Sequence, residues 1–303
     1  MRLGLILLAV CCLWLSAAPA WAQAIDLSHG GQITVTARGG FDWDQKAQTV
    51  TAHGDAQAVR GNVTVTADRL VAFYRKKPGA APKATEAASK PGGAIDDTGA
   101  NEIYRLEAFG HVHIFTATDQ AWGDHAVYDI DQAVLVLTGH ALRLTTPTDV
   151  LTARDEMEYW SKTRMSVGRG DATVTSNDGR RLRADVLVGY SDAPDADKAA
   201  PAPKPGTDAV AASGKLRKVD AFGDVVVRTR TETVTGDRGV YVPASGIARI
   251  VGNVHITRGQ NQLNGAAAIV NMHTGLATMT EAPGARVRGL IVPGENGSGP
   301  TKP

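Results

Sequence analysis

Apolar and polar residues alternate with a period of two in short runs along most of the chain. Ile33 and Val35 flank Thr34, Val63 and Val65 flank Thr64, Val112 and Ile114 flank His113, Val225 and Val227 flank Val226, and Val254 and Ile256 flank His255. Because successive side chains of a strand point to opposite faces, each run predicts a β-strand with one buried face. No window of helical period follows residue 23. The runs belong to a recurring phrase: a Gly, a polar residue, an apolar-x-apolar strand, a turn, then Ala or Gly with Asp, and a second strand that usually ends in Tyr. Copies begin at Gly61, Gly110, Gly139, Gly170, Gly223 and Gly252. Gly110 and Gly139 are 29 residues apart, as are Gly223 and Gly252. Such a fixed spacing marks a tandem repeat.

Short polar turns join the two strands of a copy, for example Thr146-Pro147-Thr148-Asp149, Asn177-Asp178-Gly179 and Gly259-Gln260-Asn261. Reversals this tight make neighbouring strands antiparallel, since a parallel pair needs a crossover of about a dozen residues. The prediction is an all-β fold: an elongated, twisted antiparallel β-jelly-roll or sandwich of two-strand repeats, with about 13–15 strands. A parallel β-helix is the alternative architecture. One copy is out of phase: after Gly139 the large apolar residues are Leu142 and Leu144, one position late, which predicts a bulge near His140-Ala141.

Residues 1–22 read as a cleaved export signal, with Arg2, an apolar run from Leu3 to Leu15, and Ala20-Trp21-Ala22 before the expected cut. Residues 23–292 form the expected β domain. Two stretches rich in Ala and Pro, 76–100 and 191–214, interrupt it after Tyr74 and Tyr190; each precedes an Ala-Phe-Gly phrase, so they read as flexible insertions in one structural slot. Interdomain linkers are the alternative. Residues 293–303 are Gly- and Pro-rich and read as a disordered tail.

Both cysteines, Cys11 and Cys12, fall in the leader, so the mature chain offers no disulfide, thiol nucleophile or cysteine metal site. Setting aside Arg2 leaves 31 basic against 31 acidic side chains, which removes the electrostatic case for a nucleic-acid partner. No GxSxG elbow, HExxH pair or Gly-rich phosphate loop is present.

The phrases TADRLVAFY, WGDHAVYDIDQAVLVLTGHA and TGDRGVYVPASGIARIVGNVHI, behind an export leader, resemble the OstA-like superfamily, and within it the periplasmic lipopolysaccharide transport proteins. The resemblance runs from about Ile33 to about Val292. It implies a slightly open jelly-roll whose inward faces carry the acyl chains of lipid A. It also implies a periplasmic, non-enzymatic carrier without cofactors, stacked head to tail into a bridge. The partners implied are lipopolysaccharide, the inner-membrane export complex, the outer-membrane translocon and further copies of the chain. The two insertions and the extra length depart from that pattern and leave an inner-membrane-associated paralogue as an alternative. A secreted polysaccharide-active β-solenoid enzyme is the alternative of a different class.

The candidate channel lining is the alternating apolar set: Val63, Val65, Val112, Ile114, Leu142, Leu144, Val174, Val225, Val227, Val254 and Ile256. The competing reading is that these residues close a dry sandwich core. The terminal strands near Ile33 to Ala37 and Ala285 to Val292 are candidate edges for association. His111 and His113, with His125 or His140, form a possible metal set, but surface histidines are the preferred reading; Asp42 with Asp44 and Asp129 with Asp131 read as turn residues. Asp68, Asp124, Asp185 and Asp237 occupy equivalent positions, which points to a structural role. The basic clusters at Arg75 to Lys77, Arg180 to Arg183, Arg217-Lys218 and Arg228 with Arg230 read as solvated faces that could alternatively meet lipid phosphates.

Overall fold

The computed structural model describes residues 33–76, 101–192, 216–280 and 286–292. The expected leader, nearly all of both Ala/Pro-rich stretches and the tail lie outside them. In chain order the first strands are β1 (Thr34–Thr36), β2 (Gly40–Asp44), β3 (Thr49–Arg60), β4 (Val63–Lys76), β5 (Asn101–Phe115) and β6 (Gln120–Asp129). Next come β7 (Val134–Thr138), β8 (Leu142–Thr145), β9 (Asp149–Ala153), β10 (Glu156–Trp160), β11 (Met165–Ser176) and β12 (Arg181–Ser191). The last are β13 (Leu216–Arg228), β14 (Thr233–Val242), β15 (Ile247–Arg258), β16 (Asn261–Asn271), β17 (Leu276–Thr280) and β18 (Arg288–Leu290). The pairings among them are antiparallel, which excludes the parallel β-helix. Strands on either side of each Ala/Pro-rich stretch pair with one another, Lys76 with Asn101 and Ser191 with Leu216.

The sheet is folded lengthwise into two walls. Ten strands, β3 to β6 and β11 to β16, run through both; each makes one set of pairs in wall A, then bends and makes a second set in wall B. The eight short strands each belong to one wall: β2, β7, β10 and β17 to A, and β1, β8, β9 and β18 to B. Among the described residues each wall is therefore fourteen rungs deep, and the strand count is 18 where 13–15 were expected. The excess arises because four rungs are broken at the bend into separate A and B pieces: β1/β2, β7/β8, β9/β10 and β17/β18.

The bend has a single chemical origin. On β3, β5, β11, β13 and β15 it is a Gly followed by Asp, His or Asn: Gly54-Asp55, Gly110-His111, Gly170-Asp171, Gly223-Asp224 and Gly252-Asn253, with φ of 72 and 44, 74 and 46, 79 and 51, 75 and 43, and 81 and 45°. Two successive left-handed residues suit Gly and then the side chains that tolerate this region best. They insert one extra residue against the partner strand, a bulge that kinks the ladder, as between Phe109 and Val112 on β5. The preceding strand supplies an Asp that packs on the corner, so that a Cβ at Gly110 would lie 2.1 Å from Asp68 Oδ2 and one at Gly223 2.1 Å from Asp185 Oδ2. Asp237 packs on Gly252 and Asp124 on Gly139 in the same way, and Asp155, not anticipated from the sequence, on Gly170. Several of these carboxylates bind the corner directly. Asp68 meets His111 Nδ1 at 2.9 Å, Asp124 accepts from the His140 N–H at 2.8 Å, and Asp237 accepts from Asn253 Nδ2 at 3.1 Å.

Two local expectations change. Gly61-Asn62 is the β3–β4 hairpin turn; the corner of that copy is Gly54-Asp55. Near His140-Ala141 the strand breaks outright into β7 and β8: Thr138 faces His125 and Arg143 faces Trp122, leaving four residues opposite two.

Replacing Gly223 by Ala forces a Cβ onto Asp185 and into a left-handed backbone. Urea denaturation should show a loss of about 2 kcal/mol. Adding Asp185→Ala should recover the steric part alone, and an undiminished midpoint in the single variant would contradict the corner's role.

Candidate functional site

Alternation within each wall sends one set of side chains between the walls. In wall B two inward rows run along the molecule. Nearest the bend, Val112 faces Gly123, Leu142 faces Ala153, Val225 faces Gly236 and Val254 faces Gly265. One step towards the hairpin lips, Val65 faces Ile114 and the row continues through Leu144, Leu151, Val174, Leu182, Val227, Val234 and Ile256. Val63 closes the lip beside Val65 and is fully buried. All eleven candidate lining residues thus lie on wall B. Nine are buried, and Leu144 and Val174 are half-buried and packed against the core.

The opposing wall was missed. Its inward rows include Ala52, Leu70, Ala108, Ala126, Leu137, Met157, Leu187, Ala221, Ile250 and Ala268, each facing the next or joined through an intervening glycine. The available signal was the second half of each phrase, such as Leu70 and Ala72 in ADRLVAFY.

The walls touch near the bend. A Cβ at Gly123 would sit 2.7 Å from Leu137 Cδ1, and one at Gly236 2.5 Å from Ile250 Cγ2, so these glycines let side chains of wall A reach the backbone of wall B. Towards the lips the walls part in two places. An apolar cleft with room for about 70 Å³ in the N-terminal half is lined by Ala52, Leu70, Ala108, Ala126, Leu106 and Tyr128 from wall A and by Ala58, Val65 and Ile114 from wall B, with Ile33, Val35 and Phe41 at its end. A narrower apolar gap lies farther along, between Val219, Ala221, Tyr241, Ala248 and Ile250 on one side and Leu182, Val225 and Val227 on the other. Of the eleven candidate residues, Val65 and Ile114 line the first opening and Val225 and Val227 the second, and the other seven line neither.

The lips carry a repeated turn, Thr-x-Thr followed by an acidic residue. Thr116, Thr146 and Thr229 accept through Oγ1 from the N–H of Asp119, Asp149 and Glu232, at 3.0, 3.0 and 3.2 Å. Each acidic side chain turns back towards the protein. Asp149 accepts from Ser176 Oγ at 2.6 Å and Glu232 from Arg258 at 2.7 Å, whereas Asp119 Oδ1 is buried without a partner. Burial pushes the Asp119 carboxyl up to about 6.

The other candidate groups find separate partners. His111 pairs with Asp68, which raises its pKa, His113 stacks between Phe115 and Trp122, His125 stacks on Phe109, and His140 pairs with Asp124. Among the described residues no three His, Cys, Asp or Glu side chains stand together as a metal site. Asp44 and Asp129 accept turn N–H groups of Lys46 and Gln132, Asp42 meets His53, and Asp131 holds Arg75.

A two-walled antiparallel sheet with a largely apolar interior defines a β-jelly-roll-type fold. A model of the family described as "LptA/(LptD N-terminal domain) LPS transport protein" matches the chain twice, over residues 35–165 and 154–276. The protein belongs to this family of lipopolysaccharide transport proteins. Among solved structures it is similar to LptH of Pseudomonas aeruginosa, described as the LptA homologous periplasmic component of the lipopolysaccharide transport device. The identity is 14%, covering 54% of this chain and 97% of that one, with a TM-score of 0.33. No curated protein matches.

Because folding raises the Asp119 pKa, the folded state holds that proton more tightly. The contribution is present at low pH and lost as pH rises from about 4 through about 6. Relative to Asp119→Asn, the parent should lose about 2–3 kcal/mol between pH 4 and pH 7 in urea titrations. Parallel pH profiles for the two proteins would refute the assignment.

Proposed function

We propose that this chain is a non-enzymatic periplasmic carrier and bridge that moves lipopolysaccharide from the inner to the outer membrane, with the acyl chains of lipid A held between walls A and B. The single observation that carries this reading is the presence of two apolar openings between the walls, lined by Val65 and Ile114 in the N-terminal half and by Val225 and Val227 farther along. Each methylene shielded from water is worth about 0.8 kcal/mol, so a multi-chain lipid crossing an aqueous compartment needs a long apolar enclosure. Export by the leader at residues 1–22 would deliver the chain to the periplasm. There its partners are the inner-membrane export complex and the outer-membrane translocon.

Head-to-tail association of copies is supported by a motif that occurs twice. The Arg38 and Gly39 N–H groups donate to the carbonyls of Gly54 and His53, at 2.8 and 2.7 Å, and the Arg38 side chain meets Asp55 at 2.9 Å. Arg154 and Asp155 repeat this against Gly170 and Arg169, at 2.7 and 3.1 Å, with Arg154 3.5 Å from Asp171. The second instance opens rung β9/β10, which is seated on β8 and β7. The first opens rung β1/β2, which among the described residues pairs on one side alone and leaves Phe41 and Trp43 about half exposed. A closing rung β17/β18 from another copy fits the place that β7/β8 takes inside the chain.

Photo-crosslinkers at Val65, Ile114 and Val227 should capture lipopolysaccharide in cells, and those at Thr64 and Thr66 should not. Crosslinking from Val112 and Val254, buried beside the bend and lining neither opening, should be several-fold weaker. Capture from the threonines alone would put the lipid on the outer face and sink the proposal.

A further inference from the structure

Sheet register sets two arginines against each other at the rim of wall B. Arg181, the first residue of β12, stands directly opposite Arg228, the last of β13, and both side chains are exposed. Like charges directly opposite across an antiparallel pair have Cβ atoms about 5 Å apart and destabilise it. The neighbouring arginines are neutralised: Arg180 meets Asp178 at 2.6 Å and Arg183 meets Asp171 at 2.5 Å. Among the described residues neither Arg181 nor Arg228 forms an ion pair. Arg230, on the adjoining turn, adds a third guanidinium and donates to the Asp178 carbonyl at 3.4 Å. The next pair inward in register is Leu182 opposite Val227, and these two line the second apolar gap.

An unneutralised pair of guanidinia on the rim of an apolar slot has the layout of a receptor for an amphiphile with an anionic head. We propose that Arg181 and Arg228, assisted by Arg230, bind a phosphate of the lipid headgroup while its chains enter the gap behind Leu182 and Val227. The proposal rests on the lipid-carrier reading above and adds the place where the head is held. Guanidinium forks match phosphate oxygens in a bidentate manner, and a phosphate between the two relieves their repulsion. A lipid phosphate is favoured over a free anion because chains in the adjoining gap raise the head's effective concentration at an otherwise water-facing pair.

The test uses the purified full-length mature protein, diphosphoryl lipid A, the same lipid stripped of its phosphates, and inorganic phosphate as competitor. Arg181→Ala/Arg228→Ala should weaken binding of diphosphoryl lipid A about tenfold or more. It should leave binding of the stripped lipid unchanged. Arg69→Ala/Arg238→Ala, two exposed arginines of wall A that line neither opening, serves as the charge-matched control and should have no effect, and Arg181→Lys/Arg228→Lys should retain part of the affinity. Equal loss for both lipids, or no loss for either, overturns the headgroup site. Displacement of the lipid by submillimolar inorganic phosphate overturns it in favour of a free-anion site. Failure of the parent protein to bind either lipid would instead bring down the carrier reading itself. A matching denaturation midpoint for the double variant separates lost binding from lost folding.

Discussion

Everything in this architecture depends on a two-residue corner in which Gly and then Asp, Asn or His adopt left-handed backbone in succession. A strand of ten to fifteen residues that stayed straight would add to a flat sheet with one apolar face in water. At the corner the same strand gains a residue over its neighbour, turns, and lays its second half in the opposite wall, so both apolar faces point into one interior. The aspartate on the preceding strand occupies the space a Cβ would need and binds the second corner residue in several copies. Exposed salt-linked contacts of this kind contribute modestly one by one. Their value lies in fixing where each strand bends, which keeps the bends of successive strands in line.

The strands and their antiparallel pairing were readable because Val-x-Val and Val-x-Ile runs survive intact in wall B. Wall A was not readable for two reasons. Its inward side chains are often alanine, as at Ala52, Ala108, Ala126, Ala221 and Ala268, which carries little periodic signal. The phase of alternation also shifts on the strands that face the corners, so the inward set on β4 passes from Val65 and Ala67 to Leu70 and Ala72 and a pattern followed along that strand changes face. Gly61-Asn62 and Gly252-Asn253 are the same dipeptide, yet one closes a hairpin and the other makes a corner. Position in the chain, rather than composition, separates them. Asp155 escaped notice because Arg154 intervenes between it and Ala153, whereas Asp68 and Asp185 directly follow an alanine.

The two matches to the family meet at residues 154–165, and the structure marks the same place with two successive broken rungs. The first unit has four strands that run through both walls and the second has six. Their interiors differ in width: the N-terminal half keeps the roomier cleft and the second half a narrower gap, although inward glycines admit a side chain from the other wall in both, Leu137 at Gly123 and Ile250 at Gly236.

Seating β9/β10 on β7/β8 within one polypeptide has a consequence for mechanics. A contact between separate molecules opens with a frequency set by their concentration, whereas two halves of one chain remain neighbours at any dilution. A filament of such chains would have a permanent splice at every second unit, and under tension it would part first at the seams between molecules.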